Sequence, residues 1–184
     1  MAYTYGRLSS VPSRDIERFE RIVMPHLDDA YTLARYLVGD EHDAQDVVQD
    51  ASLRALRYFE SYSGGDGRAW LLAIVRNCSM DWRRRQHGER HDVSIDGDAA
   101  IDVADETESD ARAIQSSESG LIMRAVAALP TEFREVIVLR ELEDMSYKEI
   151  SEVVGAPIGT VMSRIARARR QLALALGPSV KEAG

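Results

Sequence analysis

Apolar residues recur along this chain at helical spacing, in blocks separated by short glycine-, proline- or acid-bearing breaks. Over residues 15–38, Ile16, Phe19, Ile22 and Val23 make one stripe. Pro25 breaks or kinks that helix near Met24, and Leu27, Ala30, Tyr31, Ala34 and Leu37 carry the pattern on. Gly39 ends this helix and Asp40 caps a third, over 40–60, with Ala44, Val47, Val48, Ala51, Ala55 and one of Leu53 or Leu56 inward. The turn SYSGGDG at 61–67 leads into a fourth helix over 68–86, packed through Trp70, Leu71, Ile74, Val75 and Cys78. Periodicity then lapses from 87 to about 109. It resumes over 110–129, with Leu121, Ile122, Ala125, Val126 and Leu129 as the apolar face, and over 131–142, with Phe133, Val136, Ile137 and Leu142 inward.

The most informative stretch is Met145–Leu176. Ser146 followed by Glu149 reads as a capping box, and Ile150, Val153 and Val154 line one side of a short helix. Gly155-Ala156-Pro157 interrupts it, with Pro157 suited to the first position of the next helix. In that second helix Val161, Ile165, Ala168 and Leu172 fall at spacings of 4, 3 and 4 on a buried back. Thr160, Ser163, Arg164 and Arg167 fall largely on the other faces. An apolar back with a polar, arginine-bearing front suits a helix laid in a DNA major groove, although many surface helices carry arginines and bind nothing.

The pattern therefore predicts an all-α protein. Two small helical domains, 1–88 and 113–184, are joined by an acidic flexible linker at 89–112, and the second holds a helix–turn–helix. Charge sharpens this picture. The net −8 sits almost wholly in residues 89–118, where 10 acidic side chains face 2 basic ones, while 1–88 carries −1 and 119–184 carries +1. Such a chain binds free DNA weakly, since phosphate neutralisation supplies most non-specific affinity, and it needs a partner. A single cysteine excludes an internal disulfide, no apolar run of 18 residues reads as a membrane span, and the N-terminal stretch does not read as a signal peptide, so a cytoplasmic protein without membrane insertion is expected.

Candidate chemistry is sparse. Asp43, Asp46, Gln49 and Asp50 make an acidic strip; with His42 they lack the ligand set of a zinc site and suit solvent or a docking partner. Tyr62, on the glycine-rich turn, reads either as a core-edge aromatic or as a platform for an unstacked base. Arg76, Asn77, Arg83, Arg84 and Arg85 give the fourth helix a basic flank able to hold phosphates. With no Gly-rich phosphate loop and no paired base and nucleophile, no enzyme, cofactor or metal is expected.

Two blocks resemble a known family. GDEHDAQDVVQDASLRALRYFESY followed by GRAWLLAIVRNCSMDWRRR, and ALPTEFREVIVLRELEDMSYKEISEVVGAPIGTVMSRIARARRQL, are similar to the bacterial RNA polymerase sigma factors of the extracytoplasmic function class, within the sigma-70 family. The resemblance implies a non-catalytic initiation factor that binds core RNA polymerase and directs promoter recognition and melting. It assigns Asp43, Asp46, Val47, Gln49 and Asp50 to polymerase docking. Tyr62, Arg76, Asn77, Arg83 and Arg84 are assigned to the −10 element and its melted strand, and Thr160, Met162, Ser163, Arg164, Arg167 and Arg169 to the −35 element. It also implies promoter DNA and an anti-sigma factor as partners. Met162, where the family often carries Lys or Arg, and Gly67, where a bulkier residue often precedes Arg-Ala-Trp, depart from the pattern. The alternative, on the residues alone, is a stand-alone helix–turn–helix regulator.

Overall fold

The computed structural model describes residues 13–90 and 118–177. Of the linker, residues 91–112 lie outside them; Glu89 and Arg90, assigned to it from the sequence, instead end α4. Among the described residues the regular structure is entirely helical: α1 (Ser13–Val23), α2 (Leu27–Val38), α3 (Glu41–Tyr58), α4 (Gly67–Arg90), α5 (Glu118–Ala127), α6 (Thr131–Glu141), α7 (Tyr147–Val154) and α8 (Ile158–Leu176), with 3-10 turns at Met24–His26 and Phe59–Ser61.

The breaks fall where local chemistry demands them. Pro25 sits in the first 3-10 turn, so α1 and α2 are separate helices. Gly39 closes α2 in the left-handed region at φ 94°, and its N–H bonds back to the Arg35 carbonyl. Asp40 then caps α3, accepting from the Asp43 N–H at 2.9 Å. The Ser146–Glu149 capping box opens α7, and Gly155, at φ 65°, turns the chain toward α8. Pro157 stands at the N-cap of α8, one position before the first helical residue expected for it, because its extended ψ of 146° precedes the helix proper.

Helices α2, α3 and α4 pack against one another with α1 across them; α6, α7 and α8 form the second group, with α5 laid on α8. Leu33, Leu37, Leu71, Leu72 and Val75 fill the first core, and Val136, Leu139, Ile150, Val161 and Ile165 the second. The groups touch: α6 packs on α2 and α7 on α4, so the buried apolar residues form one continuous cluster. Gly67, the departure at the start of α4, has a spatial reason. A Cβ there would stand 2.5 Å from Ile22 Cγ2 and 3.2 Å from the Ile22 carbonyl oxygen, so its lack of a side chain lets α1 seat on α4.

Three expected inward positions are corrected. Leu142, just beyond α6, is 48% exposed and Leu121 in α5 is 51% exposed, with Ile122 beside it also exposed. In the third helix Leu53 faces solvent, leaving Leu56 as the partly buried member of that pair. Conversely, Arg134 and Glu135 in α6, both charged, are buried.

Candidate nucleic-acid interface

Two surfaces carry the residues singled out in the sequence. On α8 the buried back is Val161, Ile165 and Ala168, which fixes the rotation of the helix against α6 and α7. The opposite side presents Met162, Ser163 and Arg167 to solvent, with Thr160 half-buried at the helix start. The Ser163 hydroxyl donates to the Thr160 carbonyl at 2.9 Å, leaving its lone pairs outward. Arg169 is exposed but paired: its Nε and Nη2 donate to Glu141 at 3.0 and 2.6 Å. Arg164 turns toward α6 of its own helical group, with Nη1 at 3.5 Å from Glu135 Oε1.

On α4, Asn77 is exposed and Arg76 is half-buried. Arg76 makes a bidentate contact with the same Glu135, Nε to Oε2 at 2.6 Å and Nη2 to Oε1 at 3.2 Å. Arg83 reaches back to the Leu37 carbonyl at 3.3 Å, and burial holds its guanidinium below the usual arginine range. Arg84 is exposed and pairs with Asp81 one turn away.

Tyr62 is only 8% exposed. Its ring stacks on Phe59 at 5.8 Å and 15°, leans on Trp70 at 5.0 Å, and its hydroxyl donates to the Gly65 carbonyl at 2.7 Å. Of the two readings of this residue, the core-edge aromatic describes its placement; the ring offers no free face to a base. Val47 is likewise buried, so it holds α3 to the core rather than presenting a surface. The other α3 residues, Asp46 and Gln49 exposed, Asp43 and Asp50 half-buried, make an acidic edge on which Asp50 pairs with Arg54 at 2.9 Å. Burial, then the charges of Asp40 and Asp46, raises the Asp43 pKa.

Sequence reasoning missed the residues that join the groups. Arg68 Nε donates to Asp29 at 2.6 Å while its Nη2 donates to Glu143 at 2.7 Å, linking α4, α2 and the turn after α6. Arg134 donates to the Tyr36 and Leu37 carbonyls at the C-terminus of α2, each at 3.4 Å, and to the carbonyls of Leu129, at 3.0 Å, and Ala127. The only available sequence signal was an Arg-Glu pair inside an apolar run, which helical phase does not distinguish from a solvent-facing pair.

Comparison with known proteins is decisive. The sigma-70 region 2 family model matches residues 22–89, and the sigma-70 region 4 model matches residues 119–172. Over 173 residues the chain is 30% identical to the ECF RNA polymerase sigma factor SigW of Bacillus subtilis, covering 90% of this chain and 92% of that one. This chain belongs to the extracytoplasmic function class of sigma-70 family sigma factors. It is also 32% identical over 161 residues to the ECF RNA polymerase sigma-E factor of Escherichia coli K12, covering 83% of this chain and 82% of that one. Against the ECF sigma factor SigE of Mycolicibacterium smegmatis it is 34% identical over 168 residues, 91% of this chain but 63% of that longer relative. Among solved structures, the sigma factor RpoE of Bartonella quintana, in complex with the anti-sigma factor NepR, superposes with a TM-score of 0.70 at 27% identity, covering 87% of this chain and 97% of that one. CnrH in complex with the cytosolic domain of CnrY gives 0.64 at 28%, covering 89% and 90%.

As a sigma factor the chain is a regulatory subunit and not an enzyme. None of its described helices is long and apolar enough to cross a membrane. The contact around Glu143 gives it a pH dependence. Burial first, then the charge of Asp29, pushes the Glu143 pKa up to about 7, against the pull of Arg68. A carboxyl whose pKa is raised on folding contributes stability fully present below its unfolded value, near 4.5, and lost as pH rises through about 7. His26, 3.7 Å from Asp29, also faces this cluster, so the comparison must be with a variant. Glu143→Gln keeps the neutral form. The urea midpoint of the parent is expected to fall between pH 5 and 7.5 relative to that of Glu143→Gln, and parallel profiles count against the assignment.

Proposed function

We propose that this sigma factor binds core RNA polymerase and directs it to promoters with two separated contacts, one read by each helical group. The observation that carries the reading is the presence of both sigma-70 regions, in order, in one chain. The acidic edge of α3, through Asp43, Asp46, Gln49 and Asp50, is the polymerase-docking surface. Arg76, Asn77, Arg83 and Arg84 on α4 face the −10 element and its melted strand. Thr160, Met162, Ser163, Arg164, Arg167 and Arg169 on α8 face the −35 element in the major groove. Met162, exposed where a cation is common, supplies an apolar contact to a thymine methyl. Tyr62 and Val47 support these surfaces from behind. The boundaries are those of the sequence reading, 1–88 and 113–184, with 89–112 between them.

The partners are core polymerase, promoter DNA and an anti-sigma factor. The last is supported by the likeness to RpoE, solved with the anti-sigma factor NepR, and to CnrH, solved with the cytosolic domain of CnrY. Such a factor works where polymerase is, in the cytoplasm. Neither helical group is strongly basic, so linked docking on a single large partner raises the effective concentration of each contact.

Run-off transcription with core polymerase on a genomic promoter library tests the reading directly: transcripts should start at sites sharing two spaced elements, and no factor-dependent start would sink it. In the same system Arg164→Ala is expected to remove about 1–3 kcal/mol of discrimination between matched and altered −35 sites, the worth of one bidentate base contact. An equal loss on both sites would make Arg164 a phosphate anchor.

A further inference from the structure

We propose that Arg170 is a further DNA contact of α8, holding a backbone phosphate of the −35 duplex. The inference deepens the reading of α8 as the −35 helix and rests on it.

The rotation of α8 is set by its buried back, where Val161, Ile165 and Ala168 pack against α6 and α7. At about 100° per residue, the face opposite that back carries Ser163, Arg167 and Arg170, spaced i, i+4 and i+7. All three are exposed. Arg170 stands almost directly away from the core, whereas Arg164 and Arg169 stand to either side of it.

Both flanking arginines are claimed by α6. Glu135 lies 3.5 Å from Arg164, and Glu141 accepts two N–H groups of Arg169 at 3.0 and 2.6 Å. Arg167 and Arg170 form no ion pair among the described residues. Helix α8 offers them none of its own: it has four arginines and no acidic residue, in a chain of net charge −8. Arg167 and Arg170 are also neighbours at i, i+3, where like charges repel. A phosphate laid along this face relieves that repulsion.

Position along the helix decides the kind of anion. Arg170 lies three residues beyond Arg167, about 4.5 Å farther along the axis. A recognition helix reaches base edges with its N-terminal residues and meets the sugar–phosphate wall of the groove farther along. The long stem and fork of arginine suit a phosphate oxygen at that wall. The ligand is therefore a phosphodiester of duplex DNA, held without regard to base sequence.

The test uses holoenzyme assembled from the full chain and core polymerase. It is bound to duplexes with a matched or an altered −35 site, in salt from about 50 to 200 mM, with holoenzyme formation measured alongside. Arg170→Ala is expected to weaken DNA binding about fivefold, equally on the two duplexes. It should also make the slope of log affinity against log salt shallower by about 0.9, the counterion release of one phosphate contact. Arg170→Lys keeps the charge and should stay within about twofold of the parent. Rescue by lysine separates a charge contact from a structural role of the side chain.

Unchanged affinity and salt slope in Arg170→Ala overturn the proposal. So does a loss confined to the matched duplex, which makes Arg170 a base reader, or a loss of core binding in place of DNA binding, which makes it a polymerase contact. Arg167→Ala in the same assay keeps the two readings apart. If it weakens binding and Arg170→Ala does not, the phosphate contact alone fails. If neither of these variants nor Arg164→Ala changes binding at the −35 site, the reading of α8 fails with it.

Discussion

Tyr62→Ala is expected to lower the unfolding free energy by about 3 kcal/mol, the loss typical of deleting a buried aromatic ring. The ring stacks on Phe59, which meets Phe19 edge-on at 5.3 Å, and leans on Trp70, while Arg18 lies 5.9 Å from its centroid. Removing it leaves a void beside Phe59 and Trp70 and frees the Gly65 carbonyl. Tyr62→Phe retains the ring and loses only the hydroxyl bond, so it should cost about 1 kcal/mol. Urea denaturation of the two variants checks both values. The pair matters for function as well. A promoter-melting defect in Tyr62→Ala alone follows from a damaged core, whereas a defect in Tyr62→Phe at near-parental stability points to direct participation of the hydroxyl.

Arg134→Ala should be comparably damaging, at about 3 kcal/mol, through a different cause. The guanidinium spans the C-terminal carbonyls of α2 and those of Ala127 and Leu129 at the end of α5, satisfying acceptors that the helices cannot satisfy internally. Cations at helix C-termini also meet the negative end of the helix dipole. Its Nε has no hydrogen-bond partner among the described residues. Arg134→Met fills much of the same space without donors. If Arg134→Met is as unstable as Arg134→Ala, the carbonyl contacts carry the effect; if it matches the parent, packing of the stem does.

These two residues show what the sequence could and could not convey. Helix boundaries were legible because their causes are local: Pro25, the left-handed Gly39 and Gly155, the Asp40 cap and the Ser146–Glu149 box all act within a turn of the break they make. The buried back of α8 was legible because its three buried residues repeat in helical phase. Burial failed as a reading at Leu121, Ile122 and Leu142, whose apolar side chains are exposed among the described residues. It failed in the opposite sense at Arg134 and Glu135, whose partners, Leu37 and Arg76, lie far away in the chain. Tyr62 left two readings open because a glycine-rich turn says nothing about which way its aromatic faces. Only the rings of Phe59 and Trp70 decide that.

Both tryptophans of the chain, Trp70 and Trp82, lie on α4. Intrinsic emission is therefore a one-sided reporter: it follows the surroundings of α4 and senses the C-terminal helices where they pack on it, chiefly through α7. Circular dichroism averages over all eight described helices. Melting curves recorded by the two signals will superimpose while the chain unfolds as one body and will part when the groups let go of each other first.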